Sequence, residues 1–154
     1  MIEIKTVNEN EVLEIKENHV SKCFTDYLYH KHASDQIQEE LNYIAAELSS
    51  GSPSTGIILV SKDSKNNLSP WQNELLSKEQ ELIELQDEHE KAKEQVDQWL
   101  ANIRNQQHRD IVVEYLINNQ CEHAESVAVK CFTTKGNVCK VAQRIVSNIA
   151  RRIS

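Results

Sequence analysis

Apolar residues at helical spacing predict two helices in the middle of the chain. The first carries one stripe of four apolar residues at steps of four, three and four: Ile37, Leu41, Ile44 and Leu48. Such spacing is typical of the buried side of an amphipathic helix. Asp35 with Gln38 indicates a capping box at its start, and Gly51 is a plausible C-terminal stop. The helix can also begin further back, near Thr25.

The second helix is predicted to be much longer. Ser69 as the N-cap, Pro70 at the first helical position and Gln72 three residues after the cap form a strong start signal. Ten residues follow at alternating steps of four and three, and eight of them are apolar: Trp71, Leu75, Lys78, Leu82, Leu85, His89, Ala92, Val96, Trp99 and Ile103. This heptad pattern predicts a coiled-coil-like helix of about 30 residues or more.

The stripe on the long helix needs a cover. The shorter helix can fold back over the Ser- and Gly-rich connection of residues 49–70 as an antiparallel partner, or a second copy of the chain can cover the stripe. Because the shorter helix cannot cover all of it, the pattern favours a homodimer. Lys78 and His89 interrupt the stripe. They are either a snorkelling lysine and a half-exposed histidine, or polar residues that fix register or partner choice.

Two segments have less regular patterns. Residues 1–33 have apolar positions without a clean period, so we predict an irregular to helical segment of unclear structure. Within it, Ile2 and Ile4 alternate as in a short strand or belong to a disordered tip. The sequence "GIILV" at residues 56–60 is either a short strand or an apolar patch against a helix.

Composition favours an all-α protein. The 154 residues include only three glycines and two prolines, and Glu, Gln, Lys, Ala and Leu are frequent. No apolar run approaches the roughly 20 residues that span a bilayer, and charges interrupt the first apolar residues, so we expect neither a membrane helix nor a secretory signal. These features indicate a cytoplasmic protein whose four cysteines are free thiols.

Charge is distributed unevenly along the chain. The formal net charge is −7, yet residues 101–154 carry eight Lys and Arg against four Asp and Glu, which gives +4. The first hundred residues then hold nine basic and twenty acidic side chains, or −11. The acidic part repels phosphate and the basic part attracts it, so the two parts are expected to have different partners.

The basic part contains three predicted helices. The first runs from about His108 to Asn118 and the second from about Glu122 to Cys131. The last and longest is "TTKGNVCKVAQRIVSNIARRI", residues 133–153. Together with the patterns above, they predict an N-terminal segment over 1–33, a helical hairpin over 34–104 and a helix-turn-helix domain over 105–154.

The last two of these helices follow the pattern of a helix-turn-helix. This motif needs a small residue in its first helix and, after a tight turn, apolar anchors on the inward side of its second helix. Ala128 is the small residue, and Val138, ten residues later, supplies the anchor, followed by Val141. Val127 and Cys131 are expected to pack beneath them.

The last helix has an apolar inner face and a basic outer face. Thr134 is its predicted N-cap, which leaves backbone amides free for phosphate. The inner face comprises Val138, Ala142, Ile145, Ile149 and Ile153. The outer stripe has three cations, two amides and no acid: Asn137, Lys140, Arg144, Asn148 and Arg151. Amide side chains can contact adenine and cations can contact guanine or phosphate. We predict DNA contacts from Thr134, Lys135, Asn137, Lys140, Gln143, Arg144, Asn148 and Arg151.

Two turn residues depart from the motif. Phe132 occupies the position that usually prefers glycine, and a positive φ there is unfavourable for a bulky residue, so we expect a longer or differently shaped turn. Thr133 is polar where an aliphatic residue is common. A plain three-helix bundle with a solvated basic face is the structural alternative.

The chain from about Asp35 onward resembles the small phage-encoded activators of the RinA/ArpU type, whose C-terminal domain is similar to region 4 of bacterial sigma factors. The resemblance lies in "HRDIVVEYLINN", in "ESVAVKCFTTKGNVCKVAQRIVSNIARRI" and in the helix–"SP"–long-helix element upstream. The residues that match the sigma-like pattern are Glu125, Val127, Ala128, Thr134, Lys135, Gly136 and Val138. The resemblance implies a regulator of late phage genes, or of a mobile element, acting in the cytoplasm of a bacterial host cell.

Other groups of reactive side chains have weaker patterns. His19 and Cys23 can share a helix face but His30 and His32 cannot, and zinc needs four converging ligands. Cys121, His123, Cys131 and Cys139 match no zinc spacing. The common hydrolase and phosphate-loop motifs do not occur, so we expect no catalytic residues, no metal and no cofactor.

Two functions are compatible with these patterns. The first is a transcriptional regulator that binds double-stranded DNA through the helix over 135–153 and uses its acidic coiled coil to dimerise or to contact RNA polymerase. The second is a protein-binding inhibitor or anti-repressor whose acidic region blocks a basic partner. The outer stripe without acid favours the first, because an inhibitor of this kind does not need it.

Overall fold

A computed structural model describes residues 8–50 and 69–153, and nothing within those ranges is a strand. The all-α prediction is therefore confirmed for the described residues. The Ile2–Ile4 alternation, Gly51 and the "GIILV" segment lie outside them.

Six α-helices and one π-helical turn make up the described chain. Their bounds are α1 Glu9–Thr25, α2 Tyr27–Ser50, α3 Pro70–Ala101, α4 Gln106–Val112, the π-helical turn Val113–Asn118, α5 Ala124–Lys130 and α6 Lys135–Arg152. The segment that we expected to be irregular to helical thus contains the 17-residue α1 and the start of α2.

Helix starts follow their capping residues where the sequence signal is complete. Ser69 and Gln72 form the predicted capping box: the Gln72 N–H donates to Ser69 Oγ over 3.2 Å, and the Ser69 N–H donates to Gln72 Oε1 over 3.0 Å. The predicted capping box at Asp35 is wrong, because α2 begins at Tyr27 and runs through it. Gln38 instead donates to Asn42 within the helix.

The chain divides into two compact units at positions other than the predicted domain boundaries. One unit comprises residues 1–29 and 92–154, and the other comprises residues 30–91. We call them the core unit and the hairpin unit. Helix α1 therefore belongs to the same unit as α4, α5 and α6, although more than sixty residues separate it from them in sequence.

The interior of the core unit is built from both ends of the chain. Val20 and Phe24 of α1 are fully buried, and the Phe24 ring lies 5.7 Å from the Trp99 ring, centroid to centroid. Val96 on α3 and Val138 on α6 are also fully buried in this cluster. Burial of a side chain of this size contributes about 1.5–3 kcal/mol, so α1 is an integral part of the unit.

Helix α1 packs along α6. Lys16 Nζ donates to the carbonyl oxygen of Ile153 over 2.9 Å, at the C-terminal end of α6, and the Ser147 hydroxyl donates to the Glu17 carboxylate. A cation at a helix C-terminus pairs with the unsatisfied carbonyl groups there. These contacts fix one flank of α6.

In the hairpin unit, side chains of α2 and α3 meet at several points. Gln86 donates to Gln38 over 3.0 Å, and Ser34 donates to Glu90 over 2.5 Å. Further along, the Nδ1 atoms of His30 and His89 lie 2.8 Å apart. The order of these pairs means that the two helices run in opposite directions.

The predicted stripes are buried to different degrees. Ile37 and Ile44 of α2 are buried. On α3, Trp71 and Leu85 stay exposed, whereas Val96 and Trp99 enter the interior of the core unit. No helix within the described ranges is long and apolar enough to cross a membrane.

Candidate nucleic-acid interface

The end of α5 is closed by two backbone hydrogen bonds. The Thr133 N–H donates to the Ala128 carbonyl over 2.9 Å, and the Phe132 N–H donates to the Val129 carbonyl over 3.3 Å. This pair of bonds is the Schellman arrangement, which satisfies carbonyl groups at a helix end and reverses the chain. The turn thereby directs the chain into α6 after only four residues, 131–134.

Phe132 occupies the left-handed position of this turn. Its φ is +57°, and 91% of its surface is exposed. The expectation of a longer or differently shaped turn is therefore wrong, because the aromatic residue adopts the backbone conformation that glycine usually supplies. A residue with a Cβ is disfavoured there by roughly 1–2 kcal/mol, and the exposed ring recovers little of this by burial.

Helix α6 begins at the predicted cap. The Asn137 N–H donates to Thr134 Oγ1 over 3.1 Å, so the threonine side chain satisfies one of the free amides of the first turn. The inner face follows the prediction closely: Val138, Ala142, Ile145 and Ile149 are buried, and Ile153 is half-buried. Val127, Ala128 and Cys131 are buried in the same cluster, as expected for the packing of α5 on α6.

The outer stripe of α6 faces solvent. Five of the eight predicted contact residues are exposed and make neither a side-chain hydrogen bond nor an ion pair within the described chain: Lys140, Gln143, Arg144, Asn148 and Arg151. They extend over about three turns of an 18-residue helix. Three of the five are cations and the other two are amides, so this exposed face can accept an anionic polymer.

The other three predicted residues are partly used within the chain. Thr134 caps α6, and Lys135 Nζ lies 3.6 Å from Glu125 Oε1 in an exposed ion pair. Asn137 is half-buried, and its amide donates to Thr133 Oγ1 over 2.8 Å. Asn137 thus belongs to the turn as much as to the outer stripe, which sequence spacing does not reveal.

An acidic flank borders α6 that the sequence pattern does not indicate. The outer stripe has no acid of its own, but α1 places Glu17 against Ser147, and Glu14 and Glu17 line a groove of about 420 Å³ together with Gln143. Negative charge therefore borders the basic face on one side. Glu14 and Glu17 could not be identified from the sequence, because their position beside α6 depends on how α1 packs, and α1 has no clean apolar period.

The reactive side chains of the described residues lie in small groups. Cys23 Sγ lies 3.6 Å from His19 Nε2 on α1, and within the described ranges no three His, Cys, Asp or Glu residues converge as metal ligands. The described cysteines are free thiols. Burial raises the pKa of the Cys131 thiol, and the charges of Asp110 and Glu114 raise it further.

Comparisons of the chain with family models, with curated proteins and with solved structures found no match.

Proposed function

We propose that this protein is a DNA-binding transcriptional regulator that inserts α6 into the major groove of a promoter. The observation that carries the proposal is the exposed face of Lys140, Arg144, Asn148 and Arg151 on a helix whose opposite face is buried. Helix α5, the closed turn and α6 together correspond to a helix-turn-helix, in which the second helix presents its outward side chains to base edges and phosphates.

Electrostatics support the same assignment. Although the whole chain is at −7, residues 101–154 are at +4, and Lys140 and Arg144 stand on an exposed surface of α6 that carries no carboxylate itself. Phosphate contacts of this kind release counterions, so binding should weaken steeply as salt rises. Glu17 at the flank is expected to limit the affinity and to restrict which side of the helix approaches DNA.

The rest of the chain has a place in this proposal. The hairpin unit precedes α5 and α6 in sequence. Its two antiparallel helices carry exposed apolar side chains, among them Trp71, Ile83 and Leu85. In this proposal they dimerise or contact RNA polymerase, and the sequence resemblance to RinA/ArpU-type activators supports a role in regulating genes of this kind. A bacterial host cell, and a phage or mobile element as the source, belong to the same proposal.

The test replaces two outer-face cations. Lys140→Glu with Arg144→Glu should lower affinity for the DNA flanking the gene by at least about tenfold, since each direct contact contributes about 1–3 kcal/mol. The control is Lys31→Glu with Lys91→Glu, which makes the same charge change on exposed residues of the hairpin unit outside the predicted stripe. Gel-shift titrations at several salt concentrations would measure both.

The outcomes separate the two functional hypotheses. A regulator predicts loss of binding in the α6 variant, wild-type binding in the control and a helical circular-dichroism spectrum in both. If the α6 variant retains DNA as wild type does, the DNA-binding proposal fails. A protein-binding inhibitor then becomes the better description, with the acidic residues of the first hundred positions as its contact surface.

Retention on heparin gives a rapid first indication, because a chain at −7 binds heparin only if its cations share one face.

A further inference from the structure

A cavity of about 390 Å³ opens within the core unit beside the C-terminal half of α6. Its floor is apolar: Trp99, Ile145 and Ile149 are each less than 9% exposed and line it. This volume lies within the range of small-molecule sites, but eight of the thirteen lining residues are polar, so the cavity suits a ligand that is itself partly polar. The cavity is separate from the groove between α1 and α6, which is lined by other residues.

The rim of the cavity is cationic and polar. Arg104 and Arg152 approach it from the segment after α3 and from the end of α6, and His108 adds an imidazole. The remaining polar lining consists of amide side chains, namely Gln95, Gln98, Asn102, Asn105 and Asn148. None of the thirteen lining residues is acidic. Two guanidinium groups without a neighbouring carboxylate in the lining favour an anionic group over a neutral one.

Hydrogen bonds hold two backbone segments of the cavity lining in place. The Ile103 N–H donates to the Leu100 carbonyl over 3.1 Å, and Arg109 donates to the Ile103 carbonyl over 2.5 Å, which holds the segment after α3 in place. On the opposite wall, Lys16 holds the Ile153 carbonyl. A wall that is already ordered loses little conformational freedom on binding.

We infer that this cavity binds a small amphipathic anion, with a flat apolar ring system against Trp99 and a carboxylate between Arg104 and Arg152. Guanidinium groups pair with carboxylates through two parallel hydrogen bonds, and the indole offers a face on which a ring can stack. The amide side chains supply further donors to the same carboxylate. This inference does not depend on DNA binding, since it concerns a different ligand, although one lining residue, Asn148, is also a predicted DNA contact.

The test uses 2-naphthoate as the probe and neutral 2-naphthamide as its matched control, added to the whole chain carrying Trp71→Phe. That substitution leaves Trp99 as the only indole, so its N–H signal in a ¹⁵N NMR spectrum reports on the cavity. We expect the Trp99 signal to shift, with a Kd at or below about 1 mM for naphthoate and at least about fivefold weaker binding of naphthamide.

Arg104→Ala with Arg152→Ala should reduce naphthoate binding to the level of naphthamide and leave naphthamide binding unchanged. Lys31→Ala with Lys78→Ala, which removes the same charge from the hairpin unit, should retain wild-type naphthoate binding. Both arginines are exposed, so the melting temperature serves to confirm that the variant is folded. Equal affinities for the two probes, an unmoved Trp99 signal, or wild-type binding by the arginine variant would each overturn the inference.

Discussion

The backbone N–H of Thr133 donates to the carbonyl oxygen of Ala128 over 2.9 Å, and this bond closes the end of α5 around Phe132. This bond forms only if the residue just before Thr133 has a left-handed backbone conformation. Phe132 adopts that conformation, with φ +57°. The direction in which α6 leaves α5 therefore depends on a conformation that phenylalanine does not prefer.

Replacing Phe132 should make the protein more stable. In Phe132→Gly the left-handed backbone carries no Cβ penalty, and the exposed ring contributes little burial, so we expect a gain of about 0.5–1 kcal/mol in the free energy of unfolding. Phe132→Ala keeps the penalty and should stay within about 0.5 kcal/mol of wild type. Urea unfolding measures both. Equal stabilities of the glycine and alanine variants would contradict the assignment of strain to this position.

Truncating Phe24 should destabilise the core unit strongly. The side chain is fully buried against Trp99, so Phe24→Ala is expected to cost about 3–5 kcal/mol, whereas Phe24→Leu should cost less than about 2 kcal/mol. Thermal or urea unfolding followed by Trp99 fluorescence in the Trp71→Phe background reports on this unit. If the alanine variant unfolds like wild type, then α1 does not belong to the interior of the core unit.

Neutralising Glu17 should strengthen DNA binding, provided that the proposed function is right. The carboxylate contacts Ser147 at the edge of the exposed face, and its removal lowers the repulsion of phosphate; we expect Glu17→Gln to bind about two- to fivefold more tightly at low salt. The gain should shrink as salt rises. Glu88→Gln, an exposed site in the hairpin unit, is the matched control and should bind as wild type does.

The His30 and His89 side chains should be energetically coupled. Their Nδ1 atoms are 2.8 Å apart, which requires one ring to donate and the other to accept. A double-mutant cycle of His30→Ala, His89→Ala and the double variant is expected to give a coupling energy of about 0.5–1.5 kcal/mol in unfolding. Strict additivity of the two substitutions would show that the contact contributes nothing to the pairing of α2 with α3.

Two cysteines should differ sharply in reactivity. Cys139 is exposed on α6, whereas Cys131 is 7% exposed and burial raises the pKa of its thiol, so less of it is thiolate at a given pH. With iodoacetamide at pH 8, Cys139 should be alkylated at least about tenfold faster, as measured by peptide mass spectrometry. Denaturant should remove most of the difference. Similar rates in the folded protein would contradict the buried position of Cys131.

Much of α6 could be predicted because its signals are local. The spacing of Val138, Ala142, Ile145 and Ile149 defines a buried face, and Thr134 stands where an N-cap is needed. The start of α3 at Ser69 and Pro70 was predictable for the same reason. In each case the side chains that fix the element lie within a few residues of it.

Features that depend on distant residues could not be predicted. Helix α1 shows no clean apolar period because the exposed residues Val12 and Ile15 obscure the face that carries Leu13, Val20 and Phe24, and only packing distinguishes the two sets. The capping box predicted at Asp35 was wrong because the same residue pattern can occur in the interior of a long helix, as it does in α2. At Phe132, residue preference pointed away from the left-handed conformation, and tertiary packing overrode it.

The contact between Lys16 and Ile153 joins residues that are 137 positions apart. During synthesis, α1 is made before α6, so its apolar side chains Val20 and Phe24 remain without their final cover until α6 has been translated. Contacts between such distant residues slow folding, because a long loop must close before they form. The hairpin unit, by contrast, is continuous in sequence and can fold earlier. Acidic side chains would keep the α1 segment soluble until α6 has been made; they are Glu9, Glu11, Glu14 and Glu17.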